Sequence, residues 1–271
     1  MPKRLIQGQA TKLARSVHNI RYDAVHDEIV VAHPVAQAIL FFRGGADGNE
    51  APLRVIQGPK TQLWDPDYVE VDGAHNEVVV TSGERVLVFS SLANGDVAPL
   101  RVIEGSDTML GRMRGAPQVV SELNLMVVAA GPIPGKPGHG TLLIFNRTDN
   151  GNVKPLRVIS LGPKAGYFGG DFVVSPKGFI LIPGSANEGP RGGRGGGGGE
   201  GGEGGERGQP NRVIKIWSVY DNGDVPPRWI FGGPKSKLAG NNLALNPKAK
   251  EVIALTGDQN GIAGFFLPEI F

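Results

Sequence analysis

A stretch reading Pro-Leu-Arg-Val-Ile-x-Gly recurs along the chain and restricts its folding more than any other feature. Full copies stand at Pro52–Gly58 and Pro99–Gly105, and Pro155–Ile159 repeats the first five positions. Shorter forms are Arg4-Leu5-Ile6-Gln7-Gly8 and Pro227-Arg228-Trp229-Ile230-Phe231-Gly232. The arginines fall at 4, 54, 101, 157 and 228, so the steps are 50, 47, 56 and 71 residues. The last step is stretched by a glycine-rich insert. A period of this length marks a repeat architecture in which each unit is one supersecondary element.

Between markers the pattern is short β-branched or alternating apolar runs broken by Gly, Pro, Asn and Asp, which predicts strands and turns. The second unit shows four such runs: Tyr68–Asp72, Glu77–Val80, Arg85–Phe89 and Leu100–Ile103. Four short strands per period is the content of one propeller blade. Three other units repeat that order. The fifth offers only Leu243–Leu245, Glu251–Ala254 and Ala263–Phe266 before the chain stops. A propeller joins its first and last blades, and an open sheet edge invites aggregation. The expected fold is therefore all-β, a five-bladed β-propeller of four-stranded blades, closed by the N-terminal strand Arg4–Gly8 joining the C-terminal blade. Residues 1–271 are expected to be one domain, with a flexible Gly-rich loop at about 189–210. A sixth blade would need sequence upstream of this chain.

The turns predict two unlike faces. Asp47-Gly48, Asn94-Gly95, Asn150-Gly151 and Asn222-Gly223 join third to fourth strands with the positive φ that tight hairpins need. Turns between first and second strands, holding His26 and His75 at one repeat position, are equally short. Loops between second and third strands differ from unit to unit and share a side with the blade-to-blade links. Irregular loops on a rigid scaffold are where binding residues gather.

The outer-strand motif, with links such as Gly58-Pro59-Lys60-Thr61-Gln62-Leu63, resembles the NHL-like and TolB-like bacterial β-propeller repeats over essentially the whole chain. That resemblance implies a propeller, and a choice among binding scaffolds, lactonases and lyases. In the enzymes of this shape it implies metal-binding His, Asp, Glu or Asn at the mouth of the central channel.

Candidate site residues follow from the strand alignment. The upper ends of the inner strands carry His18, Asp67, Gln118, Asp171 and Asn242, a convergent polar set of the kind that orients a ligand. Carboxylates with histidine could hold a divalent cation, Ca or Zn. His33, Arg85, Arg114 and His139 fall on the irregular side, where guanidinium and imidazole suit an anionic ligand. The repeated arginines on outer strands are expected to be edge charges that discourage sheet-to-sheet pairing.

Composition narrows the partners. Lys plus Arg is 28 against 26 Asp plus Glu, so charge gives no reason to expect nucleic acid or an anionic membrane. The Arg-Gly-Gly-Arg stretch at 191–194 is too short to change that. Zero cysteines exclude disulfides, thiolate metal sites and a cysteine nucleophile. No apolar run reaches the roughly 18 residues that a membrane helix needs. The reading is a non-catalytic binding or interaction scaffold that takes a protein, glycan or small molecule on its irregular loops. A metal-dependent lactonase- or lyase-type enzyme, with its site at the mouth of the channel, is the alternative. Extracellular or periplasmic location is the expectation, with any signal peptide outside this chain.

Overall fold

The computed structural model describes residues 2–132, 140–162, 172–185, 212–256 and 261–271, so the glycine-rich insert lies outside the described residues. Among those residues the strands form five antiparallel sheets in chain order. The first holds β1 (Asn19–Asp23), β2 (Glu28–His33), β3 (Ala38–Arg43) and β4 (Arg54–Gln57). The second holds β5 (Pro66–Asp72), β6 (Glu77–Ser82), β7 (Arg85–Ser90) and β8 (Arg101–Ile103). The third holds β9 (Gln118–Val120), β10 (Leu125–Ala130), β11 (Gly140–Asn146) and β12 (Arg157–Leu161). The fourth holds β13 (Val173–Val174), β14 (Phe179–Ser185), β15 (Arg212–Ser218) and β16 (Trp229–Gly232). The fifth is β17 (Leu238–Asn246), β18 (Glu251–Thr256) and β19 (Gly261–Phe266), three strands among the described residues. This is the all-β, five-bladed propeller architecture that the repeats predict. No helix of the described residues is long and apolar enough to cross a membrane.

The chain divides into two compact units, Met1–Gly131 with Thr141–Val158, and Pro132–Gly140 with Ile159–Phe271. In the first, side chains alternate along the middle strands between two neighbouring sheets. Val78, Val80, Leu87 and Phe89 pack with Val30, Ile39 and Phe41 of the first sheet. Val79, Val86 and Val88 pack with Met126, Val128, Leu143 and Phe145 of the third. Both faces of β6 and β7 are thus covered, which is why these strands read as unbroken apolar runs instead of alternating with polar residues. In the second unit, Leu181, Ile214 and Ile216 pack with Val252 and Ala254.

The repeated motif proves to be a stitch from each outer segment to the turn of the following sheet. Ile6, Ile56 and Ile103 bridge in parallel to Gly48, Gly95 and Gly151, and Ile159 to Gly223 in the second unit. Around the three bridges of the first unit the same partners recur. Asp47, Asn94 and Asn150 accept the backbone N–H of Leu5, Val55 and Val102 through Oδ1 at 2.9 Å. Asn49, Asp96 and Asn152 accept those of Ala10, Lys60 and Asp107 at 2.8, 2.7 and 2.8 Å. The segment Arg4–Gly8, in particular, is held to the turn of the first sheet by Gln7 N–H to the Gly48 carbonyl at 2.9 Å and Gly48 N–H to the Leu5 carbonyl at 2.8 Å.

The motif arginines differ from the edge-charge expectation. Arg54 forms two bonds to Glu28, at 2.9 and 2.5 Å, donates to the Ser91 carbonyl at 2.9 Å, and lies 4.8 Å from the centroid of the Phe41 ring. Arg101 donates to Glu77 at 2.7 Å, Arg4 to the Gly44 carbonyl at 2.7 Å, and Arg228 to Asp221 at 2.6 Å. Arg54 and Arg101 are half-buried and meet carboxylates two strands away in their own sheets, while Arg4 and Arg228 stay exposed and bond acceptors in turns; the guanidinium is long enough to do either. His26 and His75 occupy their shared turn position by bonding Asp23 and Asp72 through Nδ1 at 2.7 and 2.8 Å.

Candidate binding site

The innermost strands β1, β5 and β9 of the first unit bring polar side chains into one row. His18 Nδ1 lies 2.5 Å from Asp67 Oδ1, and both side chains are about half exposed. Asn19 Oδ1 accepts the Val69 N–H at 3.1 Å. Further along, Arg21 Nε and Gln118 Nε2 both donate to Glu70 Oε2 at 3.0 Å, while Val71 N–H donates to Oε1 at 3.0 Å. Glu70 is only 17% exposed in its side chain. Burial pushes its carboxyl pKa up, against the opposing pull of the Arg21 guanidinium and of its three hydrogen bonds. Three successive sheets therefore contribute to one run of donors and acceptors.

His18, Asp67 and Gln118 are among the residues expected from sequence, and the structure brings the first two into direct contact. Arg21 and Glu70 were missed. Their signal was present: they stand 49 residues apart, as do His18 and Asp67, so opposite charges occupy one repeat position in consecutive units. Asn242 is an exposed residue of β17 in the second unit. Asp171 and His139 lie outside the described residues. No group of three or more His, Asp or Glu side chains gathers as metal ligands among the described residues. His18 with Asp67 is the pair in hand for a cation.

On the irregular side His33 is the last residue of β2 and is 1% exposed. Its Nδ1 accepts the Ala36 N–H at 3.3 Å, so the ring closes its own turn. Arg85 opens β7, donates to the Gln62 carbonyl at 2.9 Å and sits 4.0 Å from Glu104. Arg114 is half-buried beside β10, its backbone N–H bonded to the Ala129 carbonyl at 2.9 Å.

The same side holds a residue that the strand alignment did not single out. Trp64, in the link between the first and second sheets, is 63% exposed. Its backbone is nonetheless pinned at both polar groups to the fully buried Ser82: Trp64 N–H donates to Ser82 Oγ at 2.7 Å, and that hydroxyl donates to the Trp64 carbonyl at 2.6 Å. The indole lies over Gly83, where a Cβ would come 3.2 Å from Cε3. After the left-handed residues Lys12, Gln62 and Met109, each link continues with a leucine and then Ala14, Trp64 or Gly111. The tryptophan is thus peculiar to one link.

No protein-family model and no curated protein matches the sequence. Solved structures do resemble it. Hydrazine synthase of Kuenenia stuttgartiensis matches 94% of this chain with 58% of its own, at 10% identity and a TM-score of 0.53. Hsv2 of Kluyveromyces lactis, with its complete loop 6CD, matches 92% with 59% of its own, at 12% identity and a TM-score of 0.53. The chain is a β-propeller. The WD40 β-propeller domain of Doa1 matches 92% of it with 78% of its own at 12% identity, with a TM-score of 0.46. This chain spans just under three fifths of the length of the first two, and at such identities the likeness is one of fold alone.

Proposed function

We propose that this propeller, of the NHL-like or TolB-like kind, is a non-catalytic interaction scaffold that engages its partner through the irregular loops and links. The observation that carries this reading is Trp64. An indole left mostly in water forgoes its burial energy, and large aromatics on a surface concentrate at interfaces. Here the backbone beneath it is already fixed by Ser82, so little ordering entropy remains to be lost when a partner covers the ring. The inner-strand row supports the same conclusion, because both its carboxylates are engaged, Glu70 by Arg21, Gln118 and Val71 and Asp67 by His18.

Metal analysis separates this reading from the lactonase- or lyase-type alternative. Protein equilibrated with calcium or zinc and then passed through a desalting column should retain neither in stoichiometric amount. A cation retained one-to-one by the wild type and lost by His18→Ala or Asp67→Asn would overturn the scaffold reading in favour of a metal enzyme.

A further inference from the structure

We propose that Trp64, Asp65 and Glu84 together form a docking point for an arginine side chain in a basic segment of a partner protein. This rests on the interaction reading above and names the chemistry of what is bound. The indole lies on Gly83, and the residue that follows each of the two is acidic: Asp65 after Trp64, and Glu84 after Gly83. Both are exposed, and neither carboxylate meets a donor among the described residues. Asp65 also has a left-handed backbone, φ 53°, a turn that the links beginning at Lys12 and Met109 do not repeat at this place. The adjacent cation does not neutralise the pair, since Arg85 is directed to the Gln62 carbonyl and towards Glu104. Asp67 is occupied by His18.

An exposed indole beside two uncompensated carboxylates selects among possible ligands. Tryptophan offers a cation the most favourable aromatic face, and a guanidinium can stack on it while its N–H fork reaches a carboxylate. An aliphatic side chain would cover the ring but desolvate two charges without pairing them. An acidic segment would be repelled by the two carboxylates, and a neutral sugar would gain nothing from their charge. Arginine satisfies both the ring and the carboxylates.

The test uses the full chain and three short blocked peptides, each with two identical residues spaced by glycines: arginine, glutamate or leucine. Binding is read by titration of the Trp64 indole N–H resonance and by calorimetry, at low and high salt. The arginine peptide should bind saturably and more weakly as salt rises. Trp64→Ala should weaken it by about two- to fivefold, the range expected of an exposed cation–π contact. Asp65→Asn with Glu84→Gln should weaken it by about threefold or more, as expected for loss of exposed charge pairs. Because that second variant leaves Trp64 in place, it still reports if the first folds poorly. Equal affinity of the arginine peptide for wild type and both variants overturns the proposal. If the leucine peptide binds and Trp64→Ala abolishes that binding, the interaction surface stands and the arginine assignment falls. If the arginine peptide fails to bind the wild type, the assignment falls, while the metal experiment still decides between scaffold and enzyme.

Discussion

Replacing Gly58 by alanine should be far more damaging than replacing Gly95, although both glycines have positive φ. Gly58 sits at φ 133° and ψ 171°, a region that essentially only glycine occupies, and an L-residue held there costs about 1–3 kcal/mol. The new Cβ would also stand 2.5 Å from Asp96 Cγ and Oδ1. Asp96 must then move and give up the Lys60 N–H that it holds at 2.7 Å, a further loss of about 1 kcal/mol. Gly58→Ala should therefore cost about 2–4 kcal/mol in total, by the sum of these two effects. Gly95 has φ 84° and nothing within 4 Å of its would-be Cβ, so Gly95→Ala should cost only about 1–2 kcal/mol, the conformational part. Urea denaturation followed by circular dichroism, tracking the first transition, measures both. Asp96→Ala supplies the decisive background. With the carboxylate gone, Gly58→Ala should lose its steric part, leaving a coupling of about 1 kcal/mol between the two sites. If Gly58→Ala costs the same with and without Asp96, or no more than Gly95→Ala, the stitch is not what makes glycine necessary.

Two other perturbations probe the charged groups. Arg54→Ala leaves the poorly exposed Glu28 carboxylate without its two guanidinium bonds and should cost about 2–4 kcal/mol, with part recovered when Glu28→Gln is added. Additive losses in a thermal-melt double-mutant cycle would show that the contact contributes nothing. His26 has its pKa raised, chiefly by the hydrogen bond to Asp23, so the protonated pair stabilises the fold fully below the ordinary histidine value of about 6.5. That contribution is lost as pH rises through the raised value. Denaturation from about pH 5.5 to 8.5 should show wild type converging on His26→Gln at the alkaline end; a constant gap would contradict the assignment.

The sheets were legible because their information is local and repeated. Asn-Gly and Asp-Gly turns, and apolar runs of strand length, recur often enough that each copy checks the others. Contacts that depend on how one sheet faces the next were harder to read. Arg54 looks like an edge charge until the register shows Glu28, 26 residues earlier, within its reach. His33 looks like a loop residue because it precedes Pro34, yet it ends a strand whose last positions are buried. Leu63 and Trp64 are both apolar, and only the path of the link sends the leucine into the core while the indole stays outside. The pairing of Arg21 with Glu70 was within reach, since matched repeat positions in consecutive units become neighbours across the inner strands.

In the first unit each outer segment is fastened to a turn lying 39 to 48 residues further along the chain. A sheet can thus reach its complete set of contacts only after the following hairpin has been made. On a ribosome this imposes a direction: blades would mature one behind the other, each waiting for its successor to emerge. A chain pulled from its amino end would release the Arg4–Gly8 fastening before any complete sheet came under load.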